Sequence, residues 1–244
     1  MWSSIEQIVK PSDFKEALSL QAEPHAKLLA GGSYLIAEKD QTTHTLIDIN
    51  HLLSDRVELK EHGIYVGAGC TLQDLANFGD LVLSRVIIAS CPSKNIRNQR
   101  TLGGEIAQAR PNSDLIVYLH AVDAQLQIND SGSFQHISDW NGKGIISRVF
   151  IPEGDIKIER ASVIDSAVAF VIAAVFETPN YITLAAGGKA KKVCQWRTQN
   201  PPEEVDIRNF MEKVESIYPN DHFGTSEYKA QLVSNLIHHM TGSA

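Results

Sequence analysis

An α+β fold in three stretches of different style follows from three features of this sequence. Up to Leu53, short apolar runs alternate with helix-forming segments. From Val57 to Pro152, alternating strands flank tight turns and helices. Beyond that, a long apolar hairpin precedes two amphipathic helices.

Asp13 with Glu16 has capping-box spacing, and Phe14, Ala17, Leu18 and Leu20 supply the apolar face of a first helix. "AKLLAGG" reads as a buried strand running into a glycine turn, "SYLIAEKD" as a short helix and "HTLIDI" as a second strand. "VELKEHGIYVGAGC" places two alternating segments around Glu61-His62-Gly63, which is hairpin grammar. Thr71 with Asp74 caps a helix over "LQDLANFGD". "RNQRTLGGEIAQARPNSD" (97–114) crowds Arg97, Arg100 and Arg110 around two adjacent glycines, and is either a surface connection or backbone left bare for a phosphate.

"LIVYLHAVDAQLQI", a polar "NDSGS" turn and "IISRVFIP" follow; Pro152 closes that block and "EGDIKIE" reads as a linker. The longest apolar run, Ala167 to Phe176, is too short to span a bilayer and reads as a buried strand. With a Pro-Asn turn and "YITLAAGG" it forms a hairpin. "PPEEVDIRNFMEKVESI" and "SEYKAQLVSNLIHHM" are amphipathic helices, the second with Tyr228, Leu232, Val233, Leu236, Ile237 and Met240 on one core-facing side.

A net charge of −7, with 43% hydrophobic and 21% charged residues, describes an ordinary globular chain. It argues against nucleic acid and against an anionic membrane surface as partners. Met1-Trp2-Ser3-Ser4 opens no signal peptide, and three scattered cysteines (Cys70, Cys91, Cys194) suit a reducing compartment, so a cytoplasmic location without membrane insertion is expected. Three thiols also exclude a cluster held by four thiolates of this chain. The nine histidines form no metal-ligand constellation; His238 and His239 suit a helix C-terminus.

Gly31-Gly32-Ser33 and Thr101-Leu102-Gly103-Gly104 are the candidate binding segments. Paired glycines permit positive φ and remove Cβ, so that amides can converge on an anion, and the hydroxyls of Ser33 and Thr101 add donors. Either pair alone reads as a tight turn, and neither fits the dinucleotide fingerprint or the P-loop.

Taken together, "KLLAGGSYLI" and "RNQRTLGGEIAQARPNSD" resemble the two nucleotide loops of the FAD-binding subunits of molybdenum hydroxylases, whose motifs run approximately LAGGTDL and RNxATIGGNIANASPxxD. That family includes the medium subunit of carbon monoxide dehydrogenase and the flavin subunit of xanthine dehydrogenases. The resemblance continues through "IYVGAGCTLQDL", "LHAVDAQLQI", "IISRVFIP", "KIERASVIDSAVAFVIAAV" and "SEYKAQLVSNLI". It implies a PCMH-type FAD domain of two α/β subdomains, 1–55 and 56–155, and a C-terminal domain, 156–244, of small antiparallel sheet and helices.

By position, Gly31, Gly32, Ser33 and Tyr34 would hold the pyrophosphate from one side and Thr101, Gly103 and Gly104 from the other, with Ala30, Leu35 and Glu105 beside them at the cofactor. Asp114 would bond the sugar part of the cofactor, Lys27 and Leu29 would line the adenine end, and Lys157 would approach the flavin ring. Tyr34 replaces the family's common acid, Glu105 its common Asn, and "RPNSD" brings in Arg110. A carboxylate beside a pyrophosphate is adverse unless it is compensated. We expect Glu105 to organise the loop, with Arg97, Arg100 and Arg110 as nearby compensation.

The resemblance further implies partner subunits: a large one holding molybdopterin and a small one holding two [2Fe–2S] clusters, joined as a dimer of heterotrimers. Electrons would pass from the clusters through FAD to NAD⁺ or another acceptor, with no catalytic side chain. The alternative is a flavin-free structural or assembly subunit, which Tyr34 and Glu105 favour. A stand-alone oxidase is disfavoured, since the first loop has no His or Cys for a covalent flavin link.

Overall fold

The computed structural model of this 244-residue chain describes residues 2–78, 81–164, 167–199 and 203–241. In the first half lie β1 (Gln7–Val9), α1 (Phe14–Gln21), β2 (Ala26–Leu29), α2 (Ser33–Glu38), β3 (Thr45–Asp48), β4 (Val57–Lys60), β5 (Gly63–Gly67), α3 (Leu72–Asn77), α4 (Leu81–Ser90), α5 (Lys94–Arg97), α6 (Leu102–Gln108) and α7 (Asp114–Ala121). There follow β6 (Gln125–Ile128), β7 (Phe134–His136), β8 (Ile146–Pro152), β9 (Asp155–Ala161), β10 (Val171–Glu177), β11 (Tyr181–Gly188), β12 (Cys194–Gln199), α8 (Glu204–Ile217) and α9 (Ser226–Thr241). Contacts gather the chain into two interleaved units. One is Met1–Phe78, Ser93–Gln108 and Gln125–Phe150; the other is Gly79–Pro92, Ala109–Ala124 and Ile151–Ala244.

The first unit holds two sheets. Asp13 caps α1 by accepting from the Glu16 amide at 2.8 Å, while the Glu16 carboxylate turns back to the Ser12 amide and hydroxyl rather than to the cap itself. Ala17 of α1 packs with Ile47 and Ile49 on the parallel sheet β1-β3-β2. The hairpin β4–β5 pairs Val57 with Val66 and leads a five-stranded sheet ordered β4-β5-β8-β6-β7. Thr71 caps α3 through the Asp74 amide at 3.1 Å, as its spacing predicts.

The second unit is built on the antiparallel sheet β12-β11-β10-β9. "EGDIKIE" is no linker but the start of β9, whose Lys157 pairs with Val175 of β10. Its polar alternation fits an edge strand. Val171, Ala173 and Val175 of β10 face Phe210 and Val214 of α8 and Val233 and Ile237 of α9. Helix α7 packs with β10 and β11, and a Cβ at Gly187 would meet the Val117 side chain at 2.4 Å. Burial on both faces is why β10 reads as a continuous apolar run instead of an alternation.

On α9 the buried positions are Lys229, Ala230, Val233, Ile237 and Met240; Leu232 and Leu236 are half-buried, and Tyr228 is half-exposed, off the expected stripe. Lys229 is fully buried because its Nζ donates to the Pro219 carbonyl at 2.8 Å and to the Asp221 carboxylate at 2.7 Å. The expected helix N-terminus at Pro201-Pro202, and Gly79-Asp80 after α3, lie outside the described residues.

The Lys229 hydrogen bond holds the Asp221 carboxyl below its ordinary value, with the Phe223 amide assisting against desolvation. A depressed folded value stabilises the protein above the ordinary carboxylate range, and that stability is lost as pH falls through the folded value. Asp221→Asn is therefore expected to lower the urea midpoint at pH 7 and to flatten its acid decline below about pH 4. Urea unfolding of both proteins at stepped pH checks this.

Candidate functional site

The first glycine segment leaves the end of β2. The Leu29 carbonyl accepts from the Ile49 amide, and the Ala30 carbonyl accepts from Asn50 Nδ2 at 3.1 Å, so the strand exit is fixed. A Cβ on Gly31 would lie 1.7 Å from the Gln99 carbonyl oxygen, so only glycine fits there. Gly32 is left-handed (φ 69°) and is the N-cap of α2, with no side chain capping the helix. Its own carbonyl takes the Ile36 amide. The amides of Ser33, Tyr34 and Leu35 thus form an uncapped first turn, with no partner among the described residues. The Leu29 side chain lies beside Gly32, within 3.1 Å of where a Cβ there would sit.

The second segment behaves differently. Gly103 and Gly104 do not form a turn: they occupy the first turn of α6, and neither has positive φ. Thr101 bridges to Thr71, and the amides beyond it are all taken. Leu102 N donates to the Cys70 carbonyl, Gly103 N to the Ala68 carbonyl, Gly104 N to the Thr101 hydroxyl at 3.1 Å and Glu105 N to the Thr101 carbonyl. A Cβ at Gly103 would lie 2.8 Å from that of Ala68. The missing Cβ here lets α6 press on the strand exit.

Side chains join the two segments. Arg100 Nε donates to Ser33 Oγ at 3.3 Å, and its Nη1 lies 3.3 Å from the Glu105 carboxylate. Glu105 is 1% exposed, and the Arg100 guanidinium stands beside its carboxylate. Arg97 donates to Gln73 of α3. Lys27 bonds Asp40 at 2.7 Å, and that ammonium, with the Thr42 amide and hydroxyl, holds the Asp40 carboxyl well below the usual carboxylate range. Arg100 is expected above only as compensation for Glu105, not as a link between the two segments. Its signal was a pair of charges, Arg100 and Glu105, standing where the motif has Ala and Asn.

Asp114 and Lys157 belong to the second unit, where they line one cleft of about 770 Å³ with Arg85, Arg160 and His239. Asp114 opens α7 and is 4% exposed; burial pushes its carboxyl up, and the Arg160 guanidinium, 3.6 Å away, opposes that rise. Lys157 Nζ donates to the Met240 carbonyl at 2.9 Å, while Arg160 bonds the Ala167 carbonyl.

Residues 3–153 match the family model described as the FAD binding domain in molybdopterin dehydrogenase. Protein YgfM of Escherichia coli K12 is 34% identical over 141 residues, 56% of this chain and 54% of YgfM, so the match spans about half of that relative's length. The glyceraldehyde dehydrogenase medium chain of Sulfolobus acidocaldarius is 26% identical, with 93% of this chain and 94% of that one covered. Among solved structures, a chain of carbon monoxide dehydrogenase from Hydrogenophaga pseudoflava shares the fold with a TM-score of 0.73 at 17% identity, over 96% of this chain and 95% of that one. Among the described residues, no helix is long and apolar enough to cross a membrane.

Gly31→Ala forces a methyl into the Gln99 backbone, which cannot rotate away as a side chain would. The expected cost is about 1–3 kcal/mol of stability, read from the urea midpoint.

Proposed function

The chain belongs to the family of FAD-binding domains of molybdopterin dehydrogenases, and we propose that it serves as the flavin-holding, electron-transferring subunit of a multi-subunit molybdenum hydroxylase. The observation that carries this reading is the meeting of two glycine segments some seventy residues apart in the chain, with Arg100 bonded to Ser33 of one and Glu105 of the other.

The first segment fits an anionic pyrophosphate. Uncapped amides of Ser33, Tyr34 and Leu35 point out of a helix start beside left-handed Gly32, and a hydroxyl and a guanidinium stand next to them. The second segment supports the site by shape. Its amides are engaged internally, and the Thr101 hydroxyl accepts from Gly104 while keeping its own proton to donate. At the other end of the cofactor, Asp114 would meet the sugar hydroxyls. Its buried carboxyl, 3.6 Å from the Arg160 guanidinium, has oxygen lone pairs to accept from such hydroxyls. Lys157 would stand near the ring, and Lys27 and Leu29 near the adenine.

Bound FAD supplies a redox centre that takes up two electrons and gives them on singly or as a pair. The residues of this chain bind and orient it, and none is needed as acid or base. We place molybdopterin in a large partner subunit and the [2Fe–2S] clusters in a small one, within a dimer of heterotrimers. NAD⁺ is the proposed final acceptor. A relative named as the medium chain of a glyceraldehyde dehydrogenase supports such a division of labour.

Added FAD is expected to raise the melting temperature of the purified chain and to have its fluorescence quenched. At 100 times Kd the stabilisation is about 2.7 kcal/mol. No shift and no quenching at saturating FAD would favour the flavin-free structural subunit instead.

A further inference from the structure

Arg100 stands where the two glycine segments touch, and three observations give it a task that the resemblance does not. The amides of residues 102–105, which the motif would offer to an anion, are all spent on Cys70, Ala68 and Thr101. The first segment keeps its amides free, yet brings no cationic side chain of its own, because Lys27 is held by Asp40. Arg100, with a side chain 15% exposed, reaches Ser33 through Nε and Glu105 through Nη1, and its Nη2 has no partner among the described residues.

We infer that Arg100 is a phosphate ligand of the cofactor, its guanidinium fork facing the pyrophosphate in place of the second segment's amides. Glu105 is the positioning residue that holds the fork in register. The inference rests on the FAD reading above. A planar guanidinium suits this place because it can bond a carboxylate, a hydroxyl and a phosphate oxygen from one rigid group, whereas an ammonium acts as a point charge. Glu105 costs less here than a bare carboxylate would, since its charge is met by the same group that meets the phosphate.

The test measures FAD affinity by fluorescence quenching in Arg100→Ala/Glu105→Gln and in Arg100→Lys, with ligand-free melting temperatures alongside. The double variant keeps the buried charge balanced, so its ligand-free melting temperature should stay near wild type. Its FAD affinity should fall about tenfold, and the salt dependence of binding should become shallower by the loss of one cation–phosphate contact. Arg100→Lys keeps the charge opposite Glu105 but loses the fork, and should bind about threefold more weakly; it serves if the double variant does not fold. Wild-type affinity in either folded variant, or an unchanged salt dependence in the double variant, overturns the inference. Wild-type protein that fails to bind FAD at all is a different result: it removes the cofactor reading, and this inference with it.

Discussion

The close passage of the Gly31 backbone against the Gln99 carbonyl is the constraint on which the candidate site depends. It fixes where β2 ends, and Gly32 must then turn left-handed to start α2. That start brings Ser33 within reach of Arg100, and a partly buried Arg100 needs the Glu105 carboxylate. Glu105 is held because α6 begins on the carbonyls of Cys70 and Ala68, and Ala68 is itself bonded to Ser147 of β8. A line of contacts, backbone and side chain, therefore runs from one sheet of the first unit, through both glycine segments, to the other.

The second unit is organised by a different need. Its central strands carry Ala173, Ala174, Ala185 and Ala186, so helices can approach both faces of the sheet closely. Helix α7 lies against Gly187, and its first residue is Asp114. The position of that buried carboxyl is thus decided by core packing, and the Arg160 guanidinium on β9 limits the cost of desolvating it. Lys229 on α9 solves the same problem: a charge inside an apolar core persists because a carboxylate and a carbonyl meet it there.

Much of this was legible in the sequence wherever a local rule had no competitor. The Asp13 and Thr71 caps, the β4–β5 hairpin and the β10–β11 hairpin follow from spacing and turn residues. Failures came where tertiary packing supplied what the local pattern lacked. β9 looked like a linker because an edge strand need not be apolar, and Gly103-Gly104 looked like a turn although close neighbours, Ala68 for Gly103 and the Thr101 hydroxyl for Gly104, are what crowd them. Tyr228 fits the helical stripe by period, yet the buried side of α9 is rotated toward Lys229, whose burial depends on partners eight and ten residues away. Arg100 was legible as one of three charges near Glu105, but its bond to Ser33, sixty-seven residues away, is a tertiary contact that no local pattern announces.

The two halves of the candidate site bring positive potential to a chain of net charge −7 by different routes. The α2 start supplies it through peptide dipoles, which cost no desolvation and cannot move. The second segment has already spent its amides in fixing α6, so any positive potential there must come from a side chain. A side-chain charge needs orientation, and Glu105 provides that while offsetting part of its field. Arg100 and Glu105 cancel each other's charge, while the guanidinium also reaches Ser33 of the first segment. A buried pair of this kind adds little to stability over apolar residues, so its retention points to geometry, meaning the placement of the fork, as what it contributes.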